Sequence, residues 1–274
     1  MGVTLKRSFI RNEYNMLSIQ HVLSAYIAKD GNKDWMDRHM AGLLFPDAIR
    51  AYSGHRGYSH FEKSSDGTDV SYWKMPADMK NVSPESVKRS LSQDAHLAFT
   101  QPCALGESID VNAFLQHNDH LPSAMHEGVH LHLEQDMCFD KLIREEIDCT
   151  NKYNDQFVHK DQVYTGKEIR EKISEIEQQG IYVAAKLIYE RYGEVIDSHW
   201  IEQNIRPVLE RNYPHDLANN ALSFMKINPE IEEYIHQHDW SHLQNSFLSE
   251  DTWKHLYDSL HNCLDIASDF HRDM

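Results

Sequence analysis

An all-α fold is predicted by three features of the chain. Apolar residues recur at three- and four-residue spacing through most of its length, and no stretch sustains the apolar/polar alternation of a half-buried strand. Helix start and stop residues punctuate the periodic segments. With 274 residues and 41% apolar composition there is material for one large core. No repeat, low-complexity tract or linker divides it, so the expectation is a single helical domain spanning residues 1–274.

The elements follow in order. A first helix is predicted over 13–29, carrying SIQHVLSAYIA and stopping at Gly31. From 43 to 82 helical periodicity fails: the segment is rich in Gly, Ser, Asp and Pro, and it reads as a long irregular loop, which in a compact helical domain is more often functional than idle. Helices are then expected over 83–92, 107–118, 122–150, 166–192, 197–211, 214–226, 229–240 and 250–271. Ser83 before Pro84, Thr165 three residues ahead of Glu168, and Ser249 followed by Glu250 and Asp251 mark starts. Gly193 and the Tyr213-Pro214 pair mark stops.

Charge narrows the range of partners. Lys and Arg total 27 against 43 Asp and Glu, a net charge of −16, so the chain's own field repels nucleic acid and anionic membrane. Four cysteines, Cys103, Cys138, Cys149 and Cys263, form no CxxC pair and fit a reducing compartment. No apolar run is long enough to span a bilayer, the first residues lack the apolar core of a secretory signal, and Lys6 occupies the position where a myristoylation signal at Gly2 wants Ser or Thr. A cytoplasmic protein is the expectation. The 19 histidines beside 43 acids are a rich stock of ligands for first-row metals.

Two metal-binding spellings overlap in SAMHEGVHLHLEQD, residues 123–136. His126, Glu127 and His130 form HExxH, in which two imidazoles one turn apart hold zinc and the glutamate acts as base. His132 and Asp136 form HxxxD, also one turn apart. At about 100° per residue, Met125, Val129, Leu133, Met137 and Ile143 share one stripe, with His132, Asp136 and Asp140 inside or beside it. Glu127 points away, and His126 and His130 sit on the flank. A carboxylate on a buried face costs several kcal/mol unless it is paired or metal-bound, which favours the His132/Asp136 pair. The peptidase alternative lacks a third ligand: position 136 is Asp where the metzincin pattern needs His, and Glu145 and Glu146 continue the same helix. A buried His–Asp hydrogen bond without metal remains the other reading of HLEQD.

Other segments extend the pattern. SIQHVLSAYIAKD places His21 among Ile19, Val22 and Leu23, and GLLFPDAIRAYSGHRGYSHFE offers Asp47 after Pro46 and His60 before Phe61. Taken alone, His21 reads as a core histidine, Asp47 as a helix cap and His60 as a loop residue. In the order His21, Asp47, His60, Gly128-x-x-x-His132-x-x-x-Asp136, the first half of the chain resembles the zinc-dependent phospholipase C and P1 nuclease family. The resemblance implies an all-helical fold around a cluster of two or three zinc ions and hydrolysis of phosphate esters by metal-bound hydroxide; the expectation for this chain is a buried site of one to three ions, zinc or another divalent metal. The resemblance implies that His21, Asp47, His60, His132 and Asp136 are ligands, with Asp136 bridging.

The chain departs from that family in having no Trp near its start and no second H-x-x-x-D/E soon after the first. His261/Asp265 and His238/His242 are the downstream spellings, each expected to be a surface or packing feature. On this reading Asp47 also orients or deprotonates the attacking water, while His55 or Arg56 receives the phosphate of a small phosphate ester or phospholipid headgroup. Tyr52, Tyr58, Phe61, Tyr72 and Trp73 either line the substrate groove or pack the loop on the core. The competing classes are the HExxH peptidase and a non-enzymatic helical protein with a structural ion or none.

Overall fold

The computed structural model describes residues 18–53, 59–61, 73–94, 109–147, 156–159, 162–245 and 248–270. They form a helical assembly built around α1, Ser18–Ala28, every residue of which is buried. Its small and β-branched residues, SIQHVLSAYIA, let neighbours approach from all sides, and it packs against α2 (Lys33–Ser53), α5 (Ser123–Ile147), α6 (Gly166–Tyr192) and α11 (Glu250–Phe270). Between these lie α3 (Pro84–Asp94), α4 (Val111–His117), α7 (Ser198–Asn204), α8 (Arg206–Asn212), α9 (His215–Ser223) and α10 (Pro229–Gln237). No described helix is long and apolar enough to cross a membrane.

The cap chemistry is local. Asp110, Asp197 and Asn228 accept first-turn amide protons at α4, α7 and α10. Ser83 and Ser86 exchange reciprocal bonds at the start of α3, 2.9 and 3.1 Å, and Ser249 accepts from Thr252 N at 3.0 Å before α11. Gly31 and Gly193 adopt left-handed φ of 69° and 70° where α1 and α6 stop.

Three elements differ from the sequence prediction. The first part of the expected loop is instead the second half of α2, which runs through Pro46. This helix is buried from Met40 to Pro46 without a break, so it lacks the polar face that periodicity detects. The helix expected over 197–211 is two, broken at Ile205, because Pro207 has no amide proton to continue the ladder. A hairpin absent from the prediction joins β1, Gln156–His159, to antiparallel β2, Gln162–Thr165, with Phe157 opposite Tyr164. Its strands of four residues are too short to register as alternation.

The described remainder of the expected loop belongs to the core. Phe61 and Trp73 are fully buried, and Tyr52 is buried with its hydroxyl donating to Asp216 Oδ2 at 2.5 Å. Trp73 is tied by its indole to Ser90 Oγ (3.0 Å), and its carbonyl accepts from Asn118 Nδ2 (3.1 Å). These three aromatics pack the segment down rather than lining a groove; Tyr58 and Tyr72 lie outside the described residues.

Candidate metal centre

The crossing of α2 and α5 sets up the centre. Gly42 and Gly128 meet there so closely that a Cβ on Gly128 would lie 2.5 Å from His39 O and 2.6 Å from Leu43 N, and one on Gly42 would lie 2.4 Å from Met125 O. Backbone contact at this point brings His132, one turn past Gly128, against the opposing helix, where its Nδ1 meets Leu43 O at 2.8 Å. That carbonyl lies in the turn that holds Pro46, which lacks the amide that would bond Gly42 O.

His21 from α1, Asp47 from α2, His60 from the 59–61 segment, and His132 and Asp136 from α5 converge. His21, His60, His132 and Asp136 are fully buried, while the Asp47 side chain keeps 14% of its surface exposed. His132 Nε2 lies 3.0 Å from His60 Nε2 and 3.6 Å from Asp136 Oδ2. His60 Nε2 is 3.5 Å from Asp136 Oδ2 and 3.6 Å from Asp47 Oδ1. His21 Nε2 faces the other oxygen, Asp136 Oδ1, at 3.3 Å. Two overlapping donor groups result, His21/His132/Asp136 and Asp47/His60/His132, either of which could hold a metal ion.

Outer hydrogen bonds decide where the imidazole protons sit. A carbonyl only accepts, so His132 Nδ1 carries its proton and its Nε2 turns a lone pair inward. His21 Nδ1 meets Gln135 Oε1 at 2.7 Å, and Ser59 Oγ lies 2.9 Å from His60 Nδ1. Ser18 Oγ donates to Asp47 Oδ2 at 2.6 Å, leaving Oδ1 toward His60. This is the arrangement in which second-shell partners orient metal ligands. Two inward lone pairs 3.0 Å apart on His60 and His132 would repel, so the spacing calls for a proton or a cation there.

The electrostatics agree. Burial alone would lower His21, but the charge and hydrogen bond of Asp136, together with Asp47 and Gln135, hold the imidazole above its ordinary value. Burial, with His21 beside it, keeps His132 well below. Burial would raise Asp47, but the hydrogen bond with His60 and the surrounding imidazoles hold it well below the usual carboxylate range.

Other sequence candidates separate from this cluster. His126 packs its ring on Phe114, centroids 4.8 Å apart. Glu127 accepts from Ser123 Oγ at 2.7 Å and pairs with His39 Nε2 at 3.0 Å, while His130 pairs with Glu134 at 3.5 Å. Neither metal-competent group among the described residues contains an HExxH histidine. His238 caps α10 and stacks on Tyr189, and His242 stacks on Tyr234, both exposed. His55 and Arg56 lie outside the described residues, as do the side chains of His261 and Asp265.

Sequence reasoning passed over Gln135, Ser18 and Ser59. Gln135 stands inside HLEQD on the same helix face as His132, but its partner His21 is 114 positions away, and nothing local signals the pairing. Compared with protein families, characterised proteins and solved structures, the chain matches none of them.

Proposed function

We propose that this chain is a zinc-dependent phosphoric-ester hydrolase of the phospholipase C and P1 nuclease type. One observation carries the reading: five imidazole and carboxylate side chains from four separate segments, four of them fully buried, come together as two overlapping groups of donor atoms. A fully buried carboxylate and a second, largely enclosed one are costly to hold among imidazoles without compensating positive charge.

The donor spacing fits zinc. A tetrahedral ion with ligands at about 2.0–2.1 Å spaces them about 3.3 Å apart. The four spacings His60–His132, His60–Asp47 Oδ1, His60–Asp136 Oδ2 and His132–Asp136 Oδ2 run from 3.0 to 3.6 Å. Two imidazoles on one such ion have ring centroids about 5 Å apart. His60 and His132 are at 5.0 Å, whereas His21 stacks on His132 at 3.8 Å, a spacing that favours pairing His132 with His60 on one ion. His21 with Asp136 Oδ1 therefore suits a second ion, and Asp136 joins the two.

When bound, such cations lower the pKa of a bound water and neutralise charge on phosphate oxygens. The residues do the rest. Asp136 and Asp47 contribute two negative charges, so two divalent ions would leave the site net positive inside an acidic protein, which attracts an anionic ester locally. Asp47, the one ligand with exposed surface, marks the side from which substrate arrives, and Ser18 holds it with Oδ1 inward, where it orients water. His55 and Arg56, outside the described residues, stand between Asp47 and His60 in the sequence and are the residues proposed to receive the phosphate.

A structural ion is the second reading, favoured by the complete burial of four of the five ligands. Metal analysis of untagged protein is expected to find about two zinc per chain, and a chromogenic phosphodiester to be cleaved with zinc present and spared after chelation. Asp136→Asn should lose both metal and turnover. Protein that holds zinc yet cleaves no phosphate ester would leave the structural ion; protein that holds no zinc would end both readings.

A further inference from the structure

We propose that Gln135 is the positioning residue for the second cation, securing it through His21 alone; the inference rests on the two-ion reading above. The amide is oriented from both ends. Its Nε2 donates to His21 O at 3.1 Å and to Ser24 Oγ at 2.7 Å, both on α1, so Oε1 must face His21 Nδ1, at 2.7 Å. Ser24 Oγ in turn donates to His21 O at 3.2 Å, which leaves its lone pairs for the amide. An amide oxygen accepts and cannot donate, so Nδ1 of His21 carries a proton, and Nε2, facing Asp136 Oδ1, is the nitrogen left to take a cation.

The other imidazoles take their outer hydrogen bonds elsewhere, His132 with Leu43 O and His60 with Ser59 Oγ. Gln135 therefore bears on one ion and not the other. Its chain neighbour Asp136 serves both, so the two residues separate by stoichiometry: losing Asp136 empties the centre, and losing the Gln135 acceptor empties half of it.

The test is zinc titration of the full chain, read as ions bound per chain and their affinities, on wild type, Gln135→Met, Gln135→Glu and Ser24→Ala. Gln135→Met keeps length and removes every hydrogen bond; the second ion is expected to bind on the order of 10–100-fold more weakly while the first is unchanged. Gln135→Glu keeps an acceptor for His21 Nδ1 but loses both donors to α1. It should retain two ions, which a role limited to tying α5 to α1 would not. Should Gln135→Met fail to fold, Ser24→Ala decides: loosening the amide should weaken the second ion by a few-fold and spare the first. Wild-type affinity for both ions in Gln135→Met, equal loss of both, or loss of the second ion in Gln135→Glu would overturn the role of Gln135 while leaving the two-ion reading intact. A wild-type chain that binds fewer than two zinc ions would overturn both.

Discussion

At the residue scale, two hydrogen-bonded acids one helix apart have opposite consequences. Asp47 accepts from Ser18 Oγ at 2.6 Å within the cluster, so Ser18→Ala frees a ligand oxygen to turn away. Zinc affinity is expected to fall on the order of 10–100-fold, measured by competition with a chromophoric chelator. Glu127 sits on the flank of α5, with its side chain 42% exposed and paired to His39. Glu127→Gln should change stability by less than about 1 kcal/mol and leave zinc content and phosphodiester cleavage as in wild type. Peptide hydrolysis that wild type shows and Glu127→Gln loses would revive the peptidase reading, because there the glutamate is the base.

At the element scale, the α2–α5 crossing matters most. Gly128→Ala puts a methyl within 2.5 Å of His39 O and 2.6 Å of Leu43 N, backbone atoms that cannot rotate aside. Forcing the helices apart is expected to cost about 1–3 kcal/mol or more in chemical denaturation. It also pulls Leu43 O from His132 Nδ1, so zinc affinity should fall with stability. Gly128 is legible in the sequence as a small residue four before His132, but its partner Gly42 lies in the stretch where periodicity fails. A helix buried on nearly every side, such as Met40–Pro46, has no pattern to read.

At the scale of the whole molecule, stability should depend on metal and on pH. If zinc is held at about 1,000 times its Kd, removing it forfeits about 4 kcal/mol. Differential scanning calorimetry with and without chelator should show Tm lower by roughly 8–16 °C for a chain of this size. Glu194 joins three helices, accepting from Tyr26 OH on α1 (3.0 Å) and Trp200 Nε1 on α7 (2.8 Å) and pairing with Lys33 Nζ on α2 (2.8 Å). Burial would raise its carboxyl, but Lys33 and the other donors hold it below its ordinary value. A depressed folded pKa means the unfolded chain binds the proton first. This contribution is therefore present above the ordinary carboxylate pKa and lost as pH falls through the lowered one. Glu194→Gln should flatten that part of the acid-side fall in Tm.

The all-α class, the caps at Ser83 and Ser249, the stops at Gly31 and Gly193, and the spelling His132-x-x-x-Asp136 are properties of neighbours in the chain. Such features depend on local backbone conformation and on which residues share a helix face, and both can be read from spacing. Only the tertiary structure decided that α2 runs through Pro46, that Phe61 and Trp73 are core, and that His21, Asp47 and His60 meet the HLEQD helix. It alone assigned Gln135 to His21 across 114 positions. Spacing carries no distance information beyond one element: the meeting of these side chains depends on two helices touching at glycine and on how the rest of the core packs around them.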